Sequence, residues 1–378
     1  MNSVPLIQPN SITAIRHLDG KPIYFITHTN GPDLVVKGEP LGENNDHAKV
    51  SIVWTSKTMK NVSHNLVNVK LMQDPEIDEF KRAVRARLIT PDSLMHIDRQ
   101  LNWVKMLKVN DLTDTSYEET VGGFTRDNQL KVKKTVKMLL DETKWFDLGK
   151  VAAVDLFNGN NDRFDREGYW VNKGNIMFVN NVVIGMDTWD PSGTNAGGGF
   201  SNLAVGGGYE ELRILIDPAL MRQYAHNITS NVGIELGRAL ARTEATAFTI
   251  IVNGQRFQAD STSIRTLYLD YATNFQQGLA AGAQQLRVYL QGKVRQYQNP
   301  WQRVGGHQGN RANGFNMGQQ RRAQRAFPQM GQRRVAPIRG QQAPPPPQPV
   351  VPPPPPVVNA QKQIPQGVLD RMTYLGWL

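Results

Sequence analysis

The 378-residue chain contains no cysteine. That excludes a disulfide framework and any zinc site or nucleophile built on thiolates, and it is compatible with a reducing cytosol or with secretion from a bacterium. No apolar run approaches the roughly 18 residues that a membrane-spanning helix needs. Residues 1–30 lack the basic start and apolar middle of a Sec signal peptide. The seven histidines are scattered, with no HExxH and no close pair in sequence, so a zinc hydrolase has no support. Acids are absent before Asp19, where the polar, Asn/Ser/Pro-containing start reads as an unstructured terminus compatible with a type III secretion signal. They are absent again between Arg303 and Gly340, where eight arginines stand among Gly, Gln and Asn.

What is present concentrates between Asp155 and Asp190. Leu148 to Phe157 (LGKVAAVDLF) is apolar enough for a buried helix or strand, and it feeds the turn Asn158-Gly159-Asn160-Asn161. That turn presents Asp162. Ile176 to Val179 and Val182 to Gly185 are short β-type runs joined by Asn180-Asn181, which predicts a hairpin with Asn175 before it and Asp187 after it. An Asn oxygen and an Asp carboxylate converging at the end of a hairpin are hard ligands suited to Mg²⁺, and a neighbouring carboxylate can orient an acceptor hydroxyl. Each of these residues taken alone is an ordinary turn former. The order Asp, Asn, Asp with apolar spacers is what a phosphotransferase requires.

GNNDR, then GNIMF, then VIGMD resembles the catalytic and metal-binding segments of the phosphatidylinositol 3- and 4-kinase-like superfamily, and in particular the actin-fragmin kinase catalytic domain and related bacterial effector-type kinases. The resemblance implies an ATP- and Mg²⁺-dependent enzyme, with Asp162 and Arg163 as its catalytic residues and Asn175 and Asp187 on the metal. Two features depart from the usual kinase pattern. Asp162 and Asn175 are 13 residues apart, against about 5 in the usual catalytic loop, so FDREGYWVNKG has to loop out between them. Thr188-Trp189 follows Asp187 where many kinases carry Phe-Gly.

A nucleotide-binding front half is legible upstream. Ser11 to His17 and Pro22 to Thr27 read as strands around an Asp19-Gly20 turn, followed by the β run Asp33 to Glu39. Lys37 near the end of that run resembles the strand lysine that contacts nucleotide phosphates, with Asp19-Gly20 standing where the phosphate-covering loop stands. Asp74 to Leu88 is an amphipathic helix with Ile77, Phe80, Val84 and Leu88 on one face, and either Glu76 or Glu79 is placed to pair with the lysine. Leu101 to Val109 reads as the strand leading into an adenine-binding hinge.

The glycine-rich run Gly193 to Tyr209 occupies the place of an activation or substrate loop, or of a linker. Tyr209 to Tyr224, Ile228 to Thr243 and Ser263 to Gln298 have helical spacing, with Pro218 expected to break the first. The fold class expected is thus α+β: a bilobal protein-kinase-like fold with a β-rich N-lobe (1–110) and a helical C-lobe (111–300). A disordered Arg/Gln/Gly-rich segment (301–343), a polyproline segment (344–358) and a short C-terminal helix (359–378) follow. The arginine-rich segment supplies most of the net charge of +10 and suits an anionic partner. Pro344 to Pro356 suits profilin, SH3, WW or EVH1 partners, or a stiff spacer.

The whole therefore reads as a kinase acting on a protein Ser/Thr hydroxyl. It would be cytoplasmic, or secreted into a host cell to act on cytoskeletal proteins. The competing reading is a non-catalytic, basic nucleic-acid-binding or scaffold protein with a polyproline interaction tail.

Overall fold

Alternating apolar and polar residues build the first sheet. β1 (Ile12–Leu18) and β2 (Ile23–His28) pair antiparallel across the Asp19-Gly20 turn. β3 (Leu34–Glu39) adds to β2 with Ile23 opposite Lys37, so the turn and the lysine lie at the same end of the sheet. After α1 (Asn45–Val62), the short β4 (Lys70–Leu71), α2 (Asp74–Arg87) and α3 (Pro91–Asp98), the chain returns as β5 (Asn102–Leu107) and inserts between β3 and β4. The order β1-β2-β3-β5-β4 is antiparallel throughout. These elements come from a computed structural model that describes residues 4–29, 31–39, 41, 45–62, 69–88, 90–108, 129–160, 163–171, 175–179, 182–185, 211–242, 247–252, 254–298, 364 and 366–378.

One face of the sheet carries Tyr24, Ile26, Leu34, Val36 and Trp103, and it packs on Phe80, Ala83 and Val84 of α2 and Ile97 of α3. The aromatic rings interlock, with Phe80 4.9 Å from Trp103 and 5.1 Å from Tyr24 in an edge-on contact. Residues from Val4 onward belong to this core, which corrects the expectation of an unstructured terminus. Val4 and Ile7 are buried, the Ile7 amide donates to Glu76 Oε1 at 2.8 Å, and the Asn10 amide donates to Glu79 Oε1 at 2.9 Å. Amides brought to a buried surface need acceptors, and the carboxylates of α2 supply them.

The second core is mostly helical: α4 (Gln129–Met138), α5 (Glu142–Asn158), α6 (Pro218–Arg242), α7 (Ile264–Leu267), α8 (Ala272–Gln298) and α9 (Gln366–Tyr374). Two hairpins join it, β6 (Ile176–Val179) with β7 (Val182–Gly185), and β8 (Phe248–Val252) with β9 (Gln255–Ala259). The chain is therefore α+β. Residues 1–298 and 360–378 form one unit, and the second, 299–359, lies outside the described residues. The arginine-rich and polyproline segments fall there, and the glycine-rich run Gly193 to Tyr209 is also outside the described set. No helix among the described residues is long and apolar enough to cross a membrane.

Helix α5 is the axis of this core. Asp141 caps its start by accepting from the Thr143 amide at 2.9 Å, Gly159 ends it at φ 68°, and the body between is apolar nearly all round. It meets α8 backbone to backbone. A Cβ on Gly278 would lie 1.9 Å from the Phe146 carbonyl oxygen, one on Gly149 2.1 Å from that of Phe275, and one on Gly282 2.7 Å from the Ala153 Cβ.

Three details differ from the sequence expectation. Pro218 starts a helix rather than breaking one, because the first helical position needs no N–H, and Asp217 caps it by accepting from the Ala219 amide at 2.9 Å. From Pro218 on, the first expected helix (Tyr209 to Tyr224) and the second (Ile228 to Thr243) are one continuous 25-residue helix, α6. The β8–β9 hairpin, where Gly254 takes a positive φ of 77° just before β9, is not among the elements expected from the sequence.

Two outcomes follow. Gly278→Ala should lower unfolding free energy by about 2 kcal/mol or more, since overpacking here meets backbone rather than a movable side chain, measurable by urea denaturation. Glu79, held below its ordinary carboxyl value chiefly by the Arg82 hydrogen bond, should contribute stability that is full above about pH 4.5 and lost as the pH falls through its lowered value. Glu79→Gln should therefore flatten the acid limb of the stability–pH curve below pH 4.5.

Candidate functional site

The C-terminal end of α5 runs into the segment that carries the kinase-like residues. Asp155, in the last turns of this apolar helix, is 1% exposed. A carboxylate so placed needs a cation, and Arg163, 0% exposed, supplies it with Nε 3.1 Å from Oδ2 and Nη2 3.1 Å from Oδ1. Asn160 adds its side-chain amide to Oδ1 at 3.2 Å, and its backbone N–H donates to the Asp155 carbonyl at 2.9 Å. Tyr224 on α6 is fully buried nearby; burial first, and then the charges of Asp155, Asp165 and Glu211, push its phenol well above the ordinary value. The turn Asn158-Gly159-Asn160 is thus fixed from inside.

This geometry changes the role of Arg163. Its guanidinium has no exposed surface, with Nη2 bonded to Asp155 Oδ1 and Nε paired with Oδ2, so in this structure Arg163 holds the turn from inside. Asp162 and Asp187 lie outside the described residues. Asn175 is 6% exposed, one residue before β6, and Ile176 pairs with Gly185 at that end of the hairpin, as the sequence predicted.

The segment after Arg163 is folded. The Val171 amide donates to the Arg163 carbonyl at 3.0 Å, and Phe164 bridges Trp170, both rings buried with centroids 5.4 Å apart. Asp165 closes the tip by accepting from the amides of Glu167 at 3.0 Å and Tyr169 at 2.7 Å. Helix α6 clasps the tip: Asn227 donates to the Glu167 carbonyl at 3.0 Å and Asn231 to that of Gly168 at 2.8 Å. The expected loop-out between Asp162 and Asn175 is therefore a small hairpin whose base is at Arg163 and Val171.

From the other side, α9 braces the same turn. Arg371 donates to the Asn158 carbonyl at 3.4 Å, Trp377 stacks on Phe157 at 5.7 Å with planes 4° apart, and Gln291 of α8 donates to the Trp377 carbonyl at 2.7 Å. The C-terminal helix docks on its own domain.

In the sheet, Lys37 pairs with Glu39 two residues along the same strand, Nζ to Oε1 2.8 Å, with both side chains largely buried. Neither helix glutamate is its partner, contrary to the expectation. Glu76 pairs with Lys105 of β5, which is 1% exposed and also donates to the Pro5 carbonyl at 2.8 Å, while Glu79 pairs with Arg82 at 2.8 Å. The reason is the pleat: Lys105 stands opposite Val36, on the face against α2, whereas Lys37 stands opposite Val104 and points the other way.

Sequence reasoning missed Asp155, Glu39 and Lys105 as members of buried pairs. A signal was available for two of them, since a lone charge inside an apolar run (VAAVDLF, NWVKML) is buried only when paired. Comparison with protein-family models, with characterised proteins and with solved structures found no match to the chain.

Asp155→Ala should destabilise by about 3–5 kcal/mol, because it leaves the Arg163 charge buried and unpaired. Denaturant unfolding measures this, and Arg163→Met combined with Asp155→Leu should recover much of the loss.

Proposed function

We propose that the chain is an ATP- and Mg²⁺-dependent kinase that transfers the γ-phosphate to a protein Ser or Thr hydroxyl, built as a β-rich lobe and a helical lobe. The observation that carries this reading is the hairpin at Arg163–Val171. With its base closed, only residues 172–174 separate Val171 from Asn175. The apparent 13-residue gap thereby contracts to a path comparable to the spacing of about 5 between base and metal-binding Asn in a kinase catalytic loop. Two further features agree. A hairpin starts directly after Asn175 and ends two residues before Asp187. The five strands between Ile12 and Leu107 form an antiparallel sheet whose third strand carries a lysine paired with a carboxylate.

Asp162 orients the acceptor hydroxyl and takes its proton, and Lys37 contacts the nucleotide phosphates. Asn175 and Asp187 offer the oxygen-only donor set that suits Mg²⁺, which neutralises phosphate charge when bound. Asp155, Arg163, Asn160 and Arg371 keep the loop rigid. On this reading the proline-rich segment recruits the protein partner, of profilin, SH3, WW or EVH1 type, and the arginine-rich segment an anionic one.

Saturating Mg²⁺-ATP at about 100 times its Kd stabilises a folded protein by about 2.7 kcal/mol. The melting temperature of the parent should rise by several degrees, and Asp187→Ala should abolish the rise. Transfer of labelled phosphate to lysate proteins should fall at least about 100-fold in Asp162→Ala. A folded parent with no shift at millimolar Mg²⁺-ATP, binding RNA in a salt-dependent way instead, overturns the proposal.

A further inference from the structure

The fold brings together two histidines that the sequence keeps 79 positions apart. His17, at the end of β1, and His96, in the last turn of α3, have ring centroids 5.6 Å apart, and Asp92 of α3 reaches between them. Asp92 Oδ2 lies 3.6 Å from His17 Nδ1 and Oδ1 lies 3.5 Å from His96 Nε2, with no two of the three groups' ligating atoms more than 4.8 Å apart. The imidazoles are 4% exposed, and neither His17 Nδ1 nor either ring nitrogen of His96 has a hydrogen-bond partner.

Buried imidazole nitrogens without partners are costly unless something occupies the space they face. The separations are too long for direct hydrogen bonds, whose usual range is about 2.7–3.2 Å. They are close to the roughly 3.3 Å edge of a tetrahedron with about 2.0–2.1 Å bonds to a central ion.

The surrounding contacts have the form that ligation requires. His17 Nε2 lies 2.8 Å from the Lys21 carbonyl. A carbonyl only accepts, so Nε2 carries the proton and Nδ1 presents its lone pair toward Asp92, as in metal-bound histidines braced from behind by a carbonyl. The Gly20 amide donates to Asp92 Oδ2 at 2.7 Å and orients the carboxylate. Asp19, fully exposed, has Oδ1 4.0 Å from His17 Nδ1, which places a fourth oxygen at the open side.

We propose that His17 Nδ1, His96 Nε2 and the Asp92 carboxylate form a divalent-metal site of the Zn²⁺ class, completed by Asp19 or water, that pins the β1–β2 turn to α3. Two imidazoles with carboxylate oxygen favour Zn²⁺ over Mg²⁺, which keeps this site chemically apart from the one proposed around Asn175. The proposal does not depend on kinase activity.

The test uses the full chain, stripped with chelator and dialysed, and Zn²⁺ alone as the probe. Competition against a chromophoric chelator should give one Zn²⁺ per chain with micromolar or tighter Kd, together with a rise in melting temperature that equimolar Mg²⁺ does not produce. His17→Gln, His96→Gln and Asp92→Asn should each weaken binding at least tenfold, with the half-exposed Asp92 change guarding against misfolding as the cause. His226→Gln, an exposed histidine on α6, should leave it unaltered. X-ray absorption of the zinc complex should show two imidazoles with oxygen. Absence of stoichiometric binding by the folded parent overturns the proposal, as does affinity unchanged in all three folded variants.

Discussion

The backbone contact between α5 and α8 is the constraint from which the second core is built. Three glycines keep their positions on the contact line free of side chains, so the helices approach closely and the second half of α5, from Val151, is buried. That half of the helix, Val151 to Asn158, has no solvent-facing stripe to offer a charge. Asp155 therefore enters the interior with the helix and is tolerable only because Arg163 follows it in. The loop after α5 is drawn inward by that pairing, and with it come Phe164 and Trp170, which close the small hairpin held by α6. A packing decision made by glycines on two helices thus sets the path of the segment on which the proposed chemistry stands.

The sheet resolves its charges differently on its two faces. Lys105 and Glu76 sit under α2, with the N-terminal arm supplying a carbonyl and an amide to the pair, so the arm is integral to the neutralisation of that buried charge. Lys37 and Glu39 share the opposite face and neutralise each other within one strand. Two lysines in neighbouring strands, one register step apart, therefore have unrelated environments.

Much of this was readable from the chain because the relevant physics is local. β1, β2, β3, β5 and the β6–β7 hairpin follow from period-two patterning and their turns, and α2 follows from one apolar face and acids in its first turn. The misses have a common cause. Whether Glu76 meets Lys37 or Lys105 depends on which way two pleated strands point, and the convergence of His17 on His96 depends on the hairpin folding over α3, neither of which leaves a local trace. The α5 charges were different: Asp155 was visible as an anomaly in its apolar run, but its partner lay beyond a turn. The polar, weakly periodic sequence of α1 gives little sign of a helix whose Trp54 and Val62 join the helical core.

The chain leaves the helical core at Gln298 of α8 and rejoins it through Val368, Met372 and Trp377 of the C-terminal segment. Burial of Val368, Met372, Leu375 and Trp377, at about 1.5–3 kcal/mol for each large apolar side chain, holds the helix on the core. Because helix and domain belong to one molecule, their association is independent of protein concentration. Sever the chain anywhere between those two points and the same surfaces become two solutes whose encounter follows mass action, so the brace on the Asn158 turn would then respond to dilution.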